Sequence, residues 1–255
     1  MTSLTLSACQ AQKALPIIET EWEIVEAIGE PTPRHEASVV AFKNKLYLIG
    51  GRRINPVDVY DPATNIWTAL SKTPLELHHF QAIVIDDAIY LMGAMTGGWP
   101  RETPLDKVMV YYPEEDRFEM THDIPADRHR GAAGVALRNG KIYMVGGITN
   151  GHMDGFENWL DEYNPKTGEW RVLPDAPHKR DHLDAVIAKD RLYSFAGRTS
   201  HHAMGKGFES TVKPGDIFDF KTETWLNPQA AFDIPTERAV NMTFVWGVRG
   251  HYWRW

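Results

Sequence analysis

Cysteine is almost missing from this chain of 255 residues: Cys9 is the only one. A single thiol excludes an internal disulfide framework and a zinc site built on several thiolates. Long apolar runs are missing too, since none reaches the ~18 residues that a membrane-spanning helix needs. Positive charge is in deficit, with 27 Lys and Arg against 34 Asp and Glu and a net charge of -7. That balance argues against a nucleic-acid partner, which needs a basic face. What remains is an ordinary globular composition, 43% hydrophobic and 24% charged, with 16 Pro and 20 Gly spread along the chain. Frequent turn residues point to many short elements, and to an all-β protein.

Self-similarity gives the next step. The segment from Arg34 to Trp67 holds two strand-length apolar runs separated by Lys43-Asn44, then Gly50-Gly51, then a Tyr and a Trp seven residues apart. Three further segments repeat it, with Gly93-Ala94 and Ala196-Gly197 replacing the doublet in two of them, and with aromatic pairs Tyr111/Phe118, Tyr163/Trp170 and Phe218/Trp225 at the same separation as Tyr60/Trp67. Successive first members lie 51, 52 and 55 residues apart. Each unit reads as four short antiparallel strands, with two-residue turns at Lys43-Asn44, Asp86-Asp87, Asn139-Gly140 and Lys189-Asp190. A glycine doublet at a strand end suits crowded backbones, and the large aromatic bodies suit the space between neighbouring sheets.

This set of motifs, at ~50 residues per unit, resembles the kelch repeat, whose family fold is a β-propeller. The resemblance implies four complete blades at about 34–70, 77–121, 128–173 and 180–228, inside a propeller domain spanning 19–247. Parts of a further blade are expected at 20–26 and 236–247, giving an incomplete ring, with 248–255 as a tail that matches no repeat. Closed propellers usually carry 4–8 blades, and the resemblance implies about six, so a clipped or frame-shifted C-terminus is expected. Unpaired strand edges in such a ring would favour association. At the other end, Leu6-Ser7-Ala8-Cys9 resembles the lipobox of bacterial lipoproteins. It implies that 1–18 is a truncated export signal and tether, with Cys9 the lipidated residue. The expected location is then periplasmic or anchored in the outer membrane, and otherwise cytoplasmic.

In an up-and-down sheet, the loops between second and third strands share one face with the connections between blades. Those loops vary in length (52–56, about 95–107, 148–158 and 198–215), and variable insertions on one face of a repeat protein mark a binding face. Eight of the 11 histidines fall in these segments, together with many arginines. The candidate ligand-binding residues are Arg34, His35, Arg52, His78, His79, His129, Arg130, Arg180, His182, Arg198, His201 and His202. Convergent Arg and His would make a positive mouth suited to carboxylates or acidic sugars. In kelch adaptor proteins, residues at the start of the first strand and after the glycine doublet bind an acidic peptide. That likeness implies the same for Arg34, His35, Arg52, Arg130, Arg180 and Arg198. The competing role for a repeated Arg is repeated packing against the neighbouring blade.

The expected function is therefore non-enzymatic binding of a peptide, protein or acidic glycan. The alternative is a sugar-acid mutarotase, by similarity to the kelch-type N-acetylneuraminate epimerase, with Glu36, Asp181, Asp184 or a histidine as acid or base. A copper oxidase of the galactose-oxidase kind needs a Cys cross-linked to a Tyr within the propeller, and Cys9 lies before it. No cofactor is expected. No metal is expected either, because no two donors show close ligand spacing on one element.

Overall fold

The computed structural model describes residues 24–206, 210–226 and 232–239. Cys9 with the expected signal, the first part of the 20–26 strand, and residues 240–255 lie outside them. Four four-stranded antiparallel sheets follow one another along the chain as blades of an open ring. The first blade is β1 (Ala37–Phe42), β2 (Lys45–Gly50), β3 (Pro56–Asp61) and β4 (Ile66–Lys72). In the second, a small hairpin of β7 (Met95–Thr96) and β8 (Thr103–Pro104) interrupts the sequence of β5 (Gln81–Ile85), β6 (Ala88–Met92), β9 (Lys107–Tyr112) and β10 (Arg117–Asp123). The third repeats that plan with β11 (Gly134–Arg138) and β12 (Lys141–Val145), the hairpin β13 (Ile148–Asn150) and β14 (Asp154–Phe156), then β15 (Leu160–Tyr163) and β16 (Trp170–Leu173). The fourth is β17 (Asp184–Ala188), β18 (Arg191–Phe195), β19 (Asp216–Asp219) and β20 (Thr224–Trp225).

Each turn anticipated between the first two strands is a two-residue loop with left-handed backbone at Lys43 and Asn44, Asp86, Asn139 and Gly140, or Lys189. The aromatic pairs are cross-strand neighbours in register, with ring centroids 5.1, 4.6, 4.7 and 5.3 Å apart in blade order. Three apolar clusters fill the spaces between successive blades, each joining strands of two sheets. The Trp170 and Trp225 indoles donate to the carbonyls of Asp123 and Pro174, tying each outer strand to the preceding blade. Gly50 closes its strand in left-handed backbone at φ 74°, where a Cβ would sit 2.4 Å from the carbonyl oxygen of Leu77 in the next blade. The doublet is therefore a blade-to-blade contact that a side chain would push apart.

The ends differ from the simple expectation. Residues 24–27 form no strand, and among the described residues of this segment Ile28 bridges Ile66 on the outer strand of the first blade. At the other end, Arg238 accepts a bond from Gly197 N–H, as Arg180 does from Gly147 and Leu77 from Gly51. Arg238 thus stands where a further unit begins, and Ile234 and Phe232 pack on Phe195.

Candidate functional site

The four blade entrances carry equivalent triplets: Arg34-His35-Glu36, Leu77-His78-His79, Arg130-Gly131-Ala132 and Arg180-Asp181-His182. The third residue of each has left-handed backbone, with φ of 60°, 55°, 51° and 51°. Such angles are uncommon without glycine and concentrate at functional sites. A chain of main-chain bonds joins them across blades: His79 N–H to Glu36 O at 3.2 Å, Ala132 to His79 at 2.9 Å, and His182 to Ala132 at 2.8 Å. All four line a funnel of about 660 Å³ at the inner ends of the blades.

The first residues of the triplets do something else. Arg34 pairs with Asp58 and donates to the carbonyls of Thr32 and Pro56. Arg130 pairs with Asp161 at 2.8 Å, and Arg180 with Asp216 at 2.9 Å, each bonding main-chain carbonyls as well. The side chains of these arginines are buried and absent from the funnel wall. Their role is packing within the blade, where a guanidinium gathers strand-end carbonyls. His129 lies away from the funnel, where its Nε2–H donates to the carbonyl of Ile124 at 2.9 Å. His201 pairs its backbone with Lys206 and does not line the funnel.

The remaining candidates converge. His35, Arg52, His79, His182, Arg198 and His202 line the funnel, and His78 is buried directly behind His79, their Nδ1 atoms 2.7 Å apart. His35 is exposed, whereas Arg52 bridges two carboxylates, Glu36 and Glu102. Arg198 donates to Ser200 Oγ at 2.8 Å and lies 3.8 Å from Asp181. The mouth is therefore not simply positive: both inner arginines meet carboxylates. Burial alone would raise the Glu36 carboxyl, but His79 and Arg52 bring it down to about 2. Burial lowers both His78 and His79 to about 4, so these rings are neutral at neutral pH. Burial likewise lowers His182, against the opposing pull of Asp181.

Three further contributors come from the loops after second strands, His152 being one of the eight histidines of those segments and Glu102 and Ser200 carrying no linear signal. His152 comes from the turn of the β13–β14 hairpin, Glu102 from the β7–β8 hairpin, and Ser200 follows β18. His152 Nδ1 lies 3.0 Å from both oxygens of Glu102, and its ring reaches the funnel where Ala132 leaves room. Trp99, on the same hairpin as Glu102, is largely exposed and meets His202 edge-on at 4.6 Å. The signal available for the others was the triplet alignment, in which Glu36, His79 and His182 share one register. The donor atoms of His79, His152 and His182 lie within 4.8 Å of one another. The expectation of no metal rests on spacing within single elements, whereas these donors come from three separate elements.

Comparison with known proteins agrees with the fold. The Attractin/LZTR1 beta-propeller family matches residues 11–246. Kelch-like protein terF of Aspergillus terreus is 29% identical over 218 residues, covering 76% of this chain and 46% of that protein. Kelch-like protein 40 of Xenopus tropicalis is 26% identical over 188 residues, covering 71% of this chain and 29% of that protein. The chain thus spans less than half the length of either relative. Among solved structures, that of YjhT is similar with a TM-score of 0.69 at 16% identity, over 84% of this chain and 75% of that one. The chain is a kelch-repeat β-propeller and belongs to the Attractin/LZTR1 β-propeller family.

Proposed function

We propose that this chain is a binding module without catalytic turnover, which takes an acidic peptide segment of a partner protein into its funnel. The observation that carries the reading is the division of charge. Inside the funnel, Arg52 and Arg198 are outnumbered by three carboxylates, Glu36, Glu102 and Asp181, and offer no spare positive charge. On the loops around it, Arg53, Arg101 and His35 are exposed. Acidic side chains would meet the rim cations, and the peptide main chain would meet the donors and acceptors within. The kelch-like character of the relatives supports a protein-binding role.

Fluorescence anisotropy with labelled Glu/Asp-rich, neutral and Lys-rich peptide pools tests this. The acidic pool should bind best, should weaken with added salt, and should lose about tenfold in affinity in Arg53→Glu/Arg101→Glu. Equal binding of the acidic and Lys-rich pools contradicts the proposal. The sugar-acid mutarotase reading draws support from the carboxylate–imidazole pair Glu36–His79 in a cavity of small-molecule size. Anomer exchange of sialic acid, accelerated by the protein and abolished by Glu36→Gln, would favour it instead.

A further inference from the structure

The floor of the funnel carries an arrangement that peptide binding does not require. Three imidazoles from three separate elements face one another: His79 before β5, His152 at the β13–β14 turn, and His182 before β17. Their centroids are 5.0, 4.8 and 4.8 Å apart. Because the donor atoms lie within 4.8 Å of one another, some point is no farther than about 2.8 Å from all three. A zinc–nitrogen bond is about 2.0–2.1 Å, so each ring needs to move by only about 0.7 Å.

The groups behind the rings set their orientation. His152 Nδ1 meets Glu102 at 3.0 Å, and His182 Nδ1 meets Asp181. A carboxylate on Nδ1 holds the proton there and leaves Nε2 with its lone pair, the tautomer a metal ligand needs. Those carboxylates are themselves held, Glu102 by Arg52, and Asp181 by Ser200 N–H at 2.8 Å and Oγ at 2.7 Å. Without an ion, His79 Nε2–H donates to Glu36 Oε1 at 3.3 Å. An entering ion displaces that proton, and the His78–His79 pair changes tautomer to take it up. With His78 now donating from Nε2 to the Gly97 carbonyl at 3.1 Å, its Nδ1 accepts the Nδ1 proton of His79. His79 Nε2 then presents a lone pair, with Glu36 Oε1 beside it as a further oxygen donor.

We infer that His79, His152 and His182 form a binding site for one divalent first-row transition ion such as zinc or cobalt, with Glu36 beside them. Three imidazoles with room for a fourth ligand suit such ions. Arg198 is the internal competitor: its Nη2 lies 3.2 Å from His182 Nε2 and must withdraw as the ion enters. The site stands apart from the peptide proposal, and its test contains no peptide, so either reading can fail alone.

The experiment uses the untagged full chain, freed of metal with a chelator and titrated with cobalt(II) alone. Visible ligand-field absorption should saturate at one equivalent. His152→Ala should remove the bands, and Glu102→Gln, which removes only an outer partner, should weaken binding about 10–100-fold. Arg198→Met should tighten it by removing a competing cation, while His129→Ala should change nothing. Nitrogen NMR of the wild-type imidazoles with zinc gives a readout free of folding effects, and should shift the three rings together. Absence of stoichiometric binding, unaltered binding in a folded His152→Ala, or zinc shifts confined to other histidines overturns the inference.

Discussion

Arg130 has no exposed side-chain surface, pairs with Asp161, and donates to the carbonyls of Gly146 and Met144. The same pairing recurs as Arg34 with Asp58 and Arg180 with Asp216. In the second blade the equivalent positions are Leu77 and Met109, both buried in one apolar cluster. One fold position therefore accepts a buried ion pair or an apolar pair, as expected when desolvation offsets the Coulomb attraction. Arg130→Leu alone should cost about 3 kcal/mol by urea unfolding, because it leaves the buried Asp161 carboxylate with Arg128 alone, at 3.8 Å. Arg130→Leu with Asp161→Met should regain most of that loss; a double variant no more stable than the single one contradicts this account. The arginines show where sequence reading stopped. Their repetition was visible, but their direction was not, because a triplet has no depth until its third residue is known to be left-handed. Glu36, His79 and His182 share one register of the repeat, and their shared left-handed backbone is what brings them to the funnel. Glu102 and His152 lie on hairpins that differ in length from blade to blade, so no register of the repeat could point to them.

The blade was the most legible element. Turn residues and the seven-residue aromatic spacing each correspond to one local feature in all four units, and the glycine doublet does so in the first and third, with Gly93-Ala94 and Ala196-Gly197 in its place elsewhere. Pairings specific to one sheet were less visible. Glu162 on β15 faces Tyr143 on β12 and Arg171 on β16 across register, accepts the Tyr143 hydroxyl at 2.6 Å, and meets Lys141 and Arg171. Burial alone would raise its carboxyl, yet Arg171, Lys141 and Tyr143 bring it from 4.5 down to about 2. A carboxylate lowered by folding adds stability that is present above about 4.5 and lost as pH falls through about 2. Lys141 and Arg171 are nearly half exposed, so screening reduces the contribution to about 1–2 kcal/mol. Glu162→Gln should lower stability by that amount at pH 7, and the gap to wild type should narrow in acid. A gap that widens as pH falls from about 5 toward 2 would contradict the assignment.

At the scale of the molecule, the four blades place their strained entrance residues around one funnel. Main-chain bonds from Glu36 to His182 link the blades there, while apolar clusters and indole bonds hold them farther out. On the proposed function, stability and recognition separate by radius: the ion-paired arginines and aromatic pairs would carry the first, the left-handed entrance residues and hairpins the second. Hydrogen exchange of the full chain with a saturating acidic peptide pool tests that separation most directly. The account predicts added protection at 35–36, 79–82, 97–102, 150–153 and 198–202, with the outer strands β4, β10 and β16 unchanged. Protection concentrated on those outer strands, with the funnel segments unaltered, would contradict it.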